Sequence, residues 1–332
     1  MRLCISILFF PTLVFSQKTI GADSLDLSWS EYRYSKKISH HVFIENPNLI
    51  YLNLSNIYLE SLPEGVCKYR SLKTLDISSN EIKTLPNCFS NLDSLSCLNI
   101  SSFFNVNPFT AFNFVNNRNL KTLFLGPNYI YSLPDSIFLL SQLENFYCPG
   151  CKLKDMGSGL SKLTLLKTLD LTENELVTWP KEISTLKNLE ILVLSRNRLK
   201  NLPSEFSELT NLILLDLSKN NYTSIPSPLA KSSYKEVDLS SNKIYNIKDI
   251  DKYNISILSL ENNRIINIPK SLLRNTTLES LDLSNNLINS IPKGLKLSKN
   301  MKFMGLSGNK IPPDEIASLR KNNPHVEIYF HQ

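Results

Sequence analysis

The segment Leu166-Lys-Thr-Leu169-Asp-Leu171-Thr-Glu-Asn174-Glu-Leu176 decides the fold. Leu169 and Leu171 alternate with polar neighbours, so a short strand turns both toward one side. Asn174 follows where the chain must leave the strand. Backbone groups in a buried turn need partners, and a carboxamide offers both donors and acceptors. The same string, L-x-x-L-x-L-x-x-N-x-L, returns twelve times between Leu49 and Asn309. Its openings are Leu49, Leu72, Leu95, Leu120, Leu143, Leu166, Leu189, Leu212, Tyr234, Ile255, Leu278 and Met301, and eight of the eleven intervals are 23 residues. One unit of this length cannot bury its own leucines, so the units must stack as a solenoid. Asn80, Asn128, Asn174, Asn197, Asn220, Asn242, Asn263, Asn286 and Asn309 hold the turn position and are expected to form a ladder. Ile57, Phe103 and Cys151 depart from it.

Thirteen residues after most openings stands a Leu-Pro, Ile-Pro or Trp-Pro pair, from Leu62-Pro63 to Ile291-Pro292. Proline presets φ and donates no hydrogen bond, which suits a bend into the returning half of the coil. So short a unit leaves room there for a 3₁₀ turn or a single helical turn. Caps must close both ends. Residues 17–48 read as the N-terminal cap, 49–311 as the repeats and 312–332 as the C-terminal cap. In the last, Pro313-Asp-Glu-Ile-Ala-Ser-Leu-Arg-Lys reads as a short helix, with acids first and bases last.

These residues resemble the leucine-rich-repeat family, in the variant carrying L-x-x-L-P. The variant is similar to Ras-suppressor-like and Scribble-like repeats and to exported bacterial repeat proteins. The resemblance implies an α/β solenoid, a horseshoe with a parallel sheet on its concave face and 3₁₀ or short helical turns on the convex side. It implies a module that binds a protein partner; the residues themselves lead us to expect no enzyme and no cofactor.

The chain has 332 residues, with 36 basic and 30 acidic, for a formal charge of +6. The bases lie scattered, with no basic run, which argues against a nucleic-acid stripe. Residues 1–16 read as a secretory leader: Arg2 is followed by a mostly apolar run, with small residues near Ser16. That run is too short to span a bilayer, and no later apolar stretch is long enough. We therefore expect an exported monomer, secreted, periplasmic or on the cell surface; a misread leader would instead leave a cytoplasmic signalling scaffold.

Catalytic chemistry finds little support. All four histidines, His40, His41, His325 and His331, lie in the caps. This leaves no Ser-His-Asp or Cys-His pair and no histidine metal site within the repeats. Asp76, Asp170, Asp216, Asp238 and Asp282 share one outward strand position, but that column is a product of the repeat. Cys148-Pro-Gly-Cys151 has redox or zinc spacing, which keeps a thiol oxidoreductase as a rival. Yet Cys148 falls on an inward strand position and Cys151 replaces a ladder Asn, so both are expected in the core. Cys67 and Cys88, on adjacent convex segments, are a candidate disulfide, and Cys97 is the candidate free thiol.

Apolar residues on outward strand positions mark the expected partner site. Phe124, Tyr147 and Val193 occupy one column, and Ile191, Leu214 and Ile257 the neighbouring one. Tyr129 stands at the strand exit, with Arg196 as flanking charge. Clustered apolar groups on a surface usually mark contacts. A surface glycan or polymer, held by the same aromatic and acidic residues, is the competing ligand.

Overall fold

The computed structural model describes residues 23–28, 48–83, 85–102 and 117–331. The expected leader (1–16), Phe103 and all but a few residues of the expected N-terminal cap lie outside these. The chain divides into two compact units, one ending at Glu175 and the other starting at Leu176.

The first unit holds seven strands: β1 (Ser24–Asp26), β2 (Tyr51–Asn53), β3 (Thr74–Asp76), β4 (Cys97–Asn99), β5 (Thr122–Phe124), β6 (Asn145–Tyr147) and β7 (Thr168–Asp170). Each pairs in parallel with the next, in unshifted register. Leu52, Leu75, Leu98, Leu123, Phe146 and Leu169 form one fully buried row. Register is fixed because a slip by one residue would turn every leucine into water.

The second unit repeats the plan with β8 (Ile191–Val193), β9 (Leu214–Asp216), β10 (Ser233–Asp238), β11 (Asn254–Ser259), β12 (Ser280–Asp282), β13 (Phe303–Gly305) and β14 (Glu327–Tyr329). Its inward row is Leu192, Leu215, Val237, Leu258, Leu281, Met304 and Ile328. Strands β10 and β11 run to six residues where their neighbours have three. They follow the two shortest repeats, of 22 and 21 residues, and there the strand begins earlier.

Most returning segments contain a five-residue 3₁₀ helix behind a proline. Pro63, Pro86, Pro134, Pro180, Pro203, Pro226 and Pro269 all sit at the N-cap with φ between −62° and −77°. Their carbonyls accept the first turn bond, as from the Val66 amide to Pro63 at 3.1 Å. At the C-terminal end, helix α1 (Pro313–Asn322) buries Ile316 and Leu319. The following Asn323 accepts from the Leu297 amide at 2.6 Å and donates to the Leu295 carbonyl at 2.9 Å. Each unit is thus a stretch of leucine-rich-repeat solenoid with an open, parallel sheet on one face.

Candidate functional site

The ladder comes first, because it fixes the strand exits. The Asn174 carboxamide accepts from the Leu153 amide at 2.9 Å and donates to the carbonyls of Cys148 and Leu171, both at 2.9 Å. Asn220, Asn242, Asn263, Asn286 and Asn309 repeat this reach into the preceding coil. Asn80 accepts from both Ile57 and Leu59, and Asn128 donates to Ile100. Asn197 accepts from Leu176. Where Cys151 replaces Asn, its backbone carbonyl accepts the Ile130 amide at 3.1 Å.

The aspartate column has a local task. Asp76, Asp170, Asp216, Asp238 and Asp282 each accept, through Oδ1, the amide two residues on, at 2.7–2.9 Å. This is an Asx turn that ends the strand. Asp238 also faces Asp216 across the sheet, with Glu236 beside it. Burial, then the Asp216 charge, push its carboxyl up to about 7. Glu236 moves upward as well, chiefly by burial.

On the sheet face of the first unit, Phe124 and Tyr147 stack with ring centroids 4.6 Å apart and planes 8° from parallel. Asn99 and Asp170 flank the pair in the same column. Burial and the Asp170 charge raise the Tyr147 hydroxyl. Beside the stack, Gly126 is dictated by close approach: a Cβ there would lie 1.9 Å from the Pro149 carbonyl oxygen. Just before the same strands begin, Glu144 bridges Lys121 and Lys167, each at 2.9 Å. Tyr129, at the strand exit, is 57% exposed.

On the sheet face of the second unit, Ile191, Leu214 and Ile257 are half-buried, and Arg196 is exposed at a turn with φ 56°. Sequence pattern treats every outward position alike, but two of the eight residues are covered. Tyr147 is 7% exposed, because its ring lies flat on Phe124, and Val193 is 5% exposed. The apolar surface is shallower than its composition suggests.

The thiols are placed as follows. Cys67 and Cys88 form a disulfide between the first two convex segments. Cys148 and Cys151 form another and are fully buried, so no substrate thiol reaches their sulfurs in this fold. Cys97 is free, and burial followed by the Asp76 charge pushes it up to about 11, so it stays a thiol at neutral pH. Among the described residues no group of three or more His, Cys, Asp or Glu is placed to hold a metal ion. Nor does any described helix have the length and apolarity to cross a membrane.

Comparison with known proteins agrees with this geometry. A leucine-rich-repeat model matches residues 47–102 and 164–221, and a second leucine-rich-repeat model matches 277–297. No curated protein matches the sequence. Among solved structures, a Leptospira interrogans leucine-rich-repeat protein shares 29% identity with TM-score 0.72, over 88% of this chain and 81% of that one. An internalin from Listeria monocytogenes shares 18%, TM-score 0.60, over 80% and 84%. The ectodomain of an Arabidopsis thaliana membrane receptor kinase, in complex with Casparian strip integrity factor 2, shares 22%, TM-score 0.55, over 89% and 40%. The last two likenesses speak to fold alone.

Proposed function

Because this chain is a leucine-rich-repeat protein, a fold widely used as a protein-interaction scaffold, we propose that it binds a protein partner on the exposed face of its sheet. The observation that carries this reading is the Phe124–Tyr147 stack. In the first unit, a strand column otherwise filled with Asp and Asn gives two adjacent positions to aromatic rings, which repeat architecture does not require. Aromatic side chains bring large apolar area at low entropic cost and dominate interface energetics. In the second unit the half-buried Ile191, Leu214 and Ile257 give its own sheet face apolar positions. A glycan would favour ring faces open to solvent, whereas here the rings cover each other. Export follows the reading of residues 1–16 as a leader, and N-terminal sequencing of the native protein that begins at Met1 would overturn it.

The test begins with a photo-cross-linking residue at Phe124 or Ile257 and identification of the captured protein by mass spectrometry. That protein is then titrated against purified full-length chain. Phe124→Ala alone, and Ile191→Ala with Leu214→Ala, should each weaken affinity at least about tenfold, or about 1.4 kcal/mol. Tyr147 is left intact, since removing a buried ring would confound binding with stability. Unchanged affinity in both variants would remove the sheet face from consideration.

A further inference from the structure

Charge that looks scattered in sequence is gathered by the fold. In the second unit the segments leaving five consecutive strands are residues 196–200, 219–223, 241–245, 262–266 and 285–289. Together they carry six bases, Arg196, Arg198, Lys200, Lys219, Lys243 and Arg264, and no acid. All six are exposed. None is in a salt bridge among the described residues; Lys243 donates to the Asn221 carboxamide at 2.6 Å. The corresponding segments of the first unit, 56–60, 79–83, 127–131 and 150–154, hold three bases and two acids. The basic flank is therefore a local property and not a consequence of the repeat.

Backbone hydrogen bonds put these side chains in register. The amides of Asn221, Lys243, Arg264 and Leu287 donate to carbonyls of the preceding coil at 2.8–2.9 Å, and that of Arg198 does so at 2.8 Å. Exposed apolar groups accompany this basic row. Tyr245, 59% exposed, and Ile266, 47%, stand two residues beyond Lys243 and Arg264 on successive coils, and Leu287, 47% exposed, follows on the next coil in the column of Arg264. Five coils at about 4.8 Å spacing span roughly 20 Å, the reach of about six extended residues.

We propose that this flank is a second docking surface, distinct from the sheet face, for an acidic protein segment that also carries apolar side chains. Charge complementarity names the acid: guanidinium and ammonium groups without an internal carboxylate partner pair with carboxylates, and Arg does so bidentately. The apolar groups name the rest. A sulfated polymer or a purely acidic chain would neutralise the bases but leave Tyr245, Ile266 and Leu287 in water. A strand-like segment with alternating Glu and Leu meets both sets.

The test is fluorescence anisotropy with the full-length chain and a labelled peptide of alternating Glu and Leu, about eight residues long. The comparison probes are a Glu/Ser peptide of equal charge, heparin, and phosphatidylserine-containing vesicles. The Glu/Leu peptide should bind at least about tenfold tighter than the Glu/Ser peptide. Arg198→Ser with Arg264→Ser should weaken it about tenfold or more, and so should Tyr245→Ser with Ile266→Ser. All four positions are exposed, so circular dichroism melts should coincide with wild type and exclude misfolding. Phe124→Ala should leave this binding unchanged, which separates failure here from failure of the sheet-face reading. Four outcomes would overturn the proposal: no binding of the Glu/Leu peptide; equal or tighter binding of the Glu/Ser peptide or heparin; vesicle binding through the same residues that the peptide does not compete away; or an unchanged Tyr245→Ser, Ile266→Ser variant.

Discussion

Replacing Asn286 by Ala probes the ladder most directly. Its Oδ1 accepts from the Ile265 amide at 2.9 Å. Its Nδ2 donates to Leu260 and Leu283 at 3.0 Å and to Ser284 at 3.1 Å. The side chain is buried, so alanine leaves the Ile265 N–H without its partner, whereas the Leu260 carbonyl keeps the Asn263 carboxamide at 3.0 Å. An orphaned buried N–H costs about 1–3 kcal/mol, which is the loss expected here. Urea unfolding followed by circular dichroism measures this, with Asn289→Ala, an exposed site three residues on, as the control. Asn286→Asp sharpens the test, because it keeps the acceptor and turns a second oxygen toward two carbonyls. Burial and those carbonyls favour the protonated acid, so its pKa in the fold lies above its unfolded value. Its stability relative to wild type should therefore be best at low pH and fall as pH rises through the folded pKa. A loss below about 0.5 kcal/mol for Asn286→Ala, the range of ordinary surface changes, would refute the assignment of the carboxamide as the turn's partner.

Other outcomes follow from the same geometry. Leu192→Ala, on the buried row of the sheet, should lower stability by about 2–5 kcal/mol in urea unfolding, and an unmoved midpoint would contradict its inward placement. Asp238, raised to about 7 by burial and the Asp216 charge, is favoured neutral in the fold, so stability should fall as pH climbs from about 4 toward 7 and then level off. Asp238→Asn keeps the acceptor for Ser240 and should flatten that dependence, raising stability at pH 8 by up to about 4 kcal/mol; a wild-type profile in the variant would exclude Asp238 as the source. Cys67→Ala with Cys88→Ala, opening a cross-link of sequence separation 21, should cost about 3 kcal/mol by chain entropy, read as a lower midpoint without reductant and none with it.

The fold was legible because a solenoid writes its core into sequence at fixed spacing. Leu169, Leu171 and Asn174 stand for every coil, and stacking copies them into rows. Site properties were legible only in part. Column membership follows from position, so Phe124 and Tyr147 could be set side by side. How far each is covered depends on ring orientation and on the neighbour's size, which hides Tyr147 and Val193. The basic flank escaped notice because Arg198, Lys243 and Arg264 are 21 or more residues apart and form no run. Tabulating the exit positions coil by coil would have exposed it. Strands β10 and β11 lengthened for a reason the repeat also contains, the shortening of two units, although strand length itself is set by where the returning segment ends.

The ladder has a direction. Each Asn reaches back into the coil before it, so a coil's turn is completed by its successor, and the last turn by the His331 carbonyl, which accepts the Gly308 amide at 3.1 Å. As the chain leaves the ribosome, the newest coil is always the unfinished one, with amides waiting for residues not yet made. Truncation from the C-terminal side therefore reopens a buried turn at every step until another terminating group is supplied. A shortened version would keep its integrity by transplanting residues 312–331 onto the final remaining coil, not by stopping cleanly at a repeat boundary.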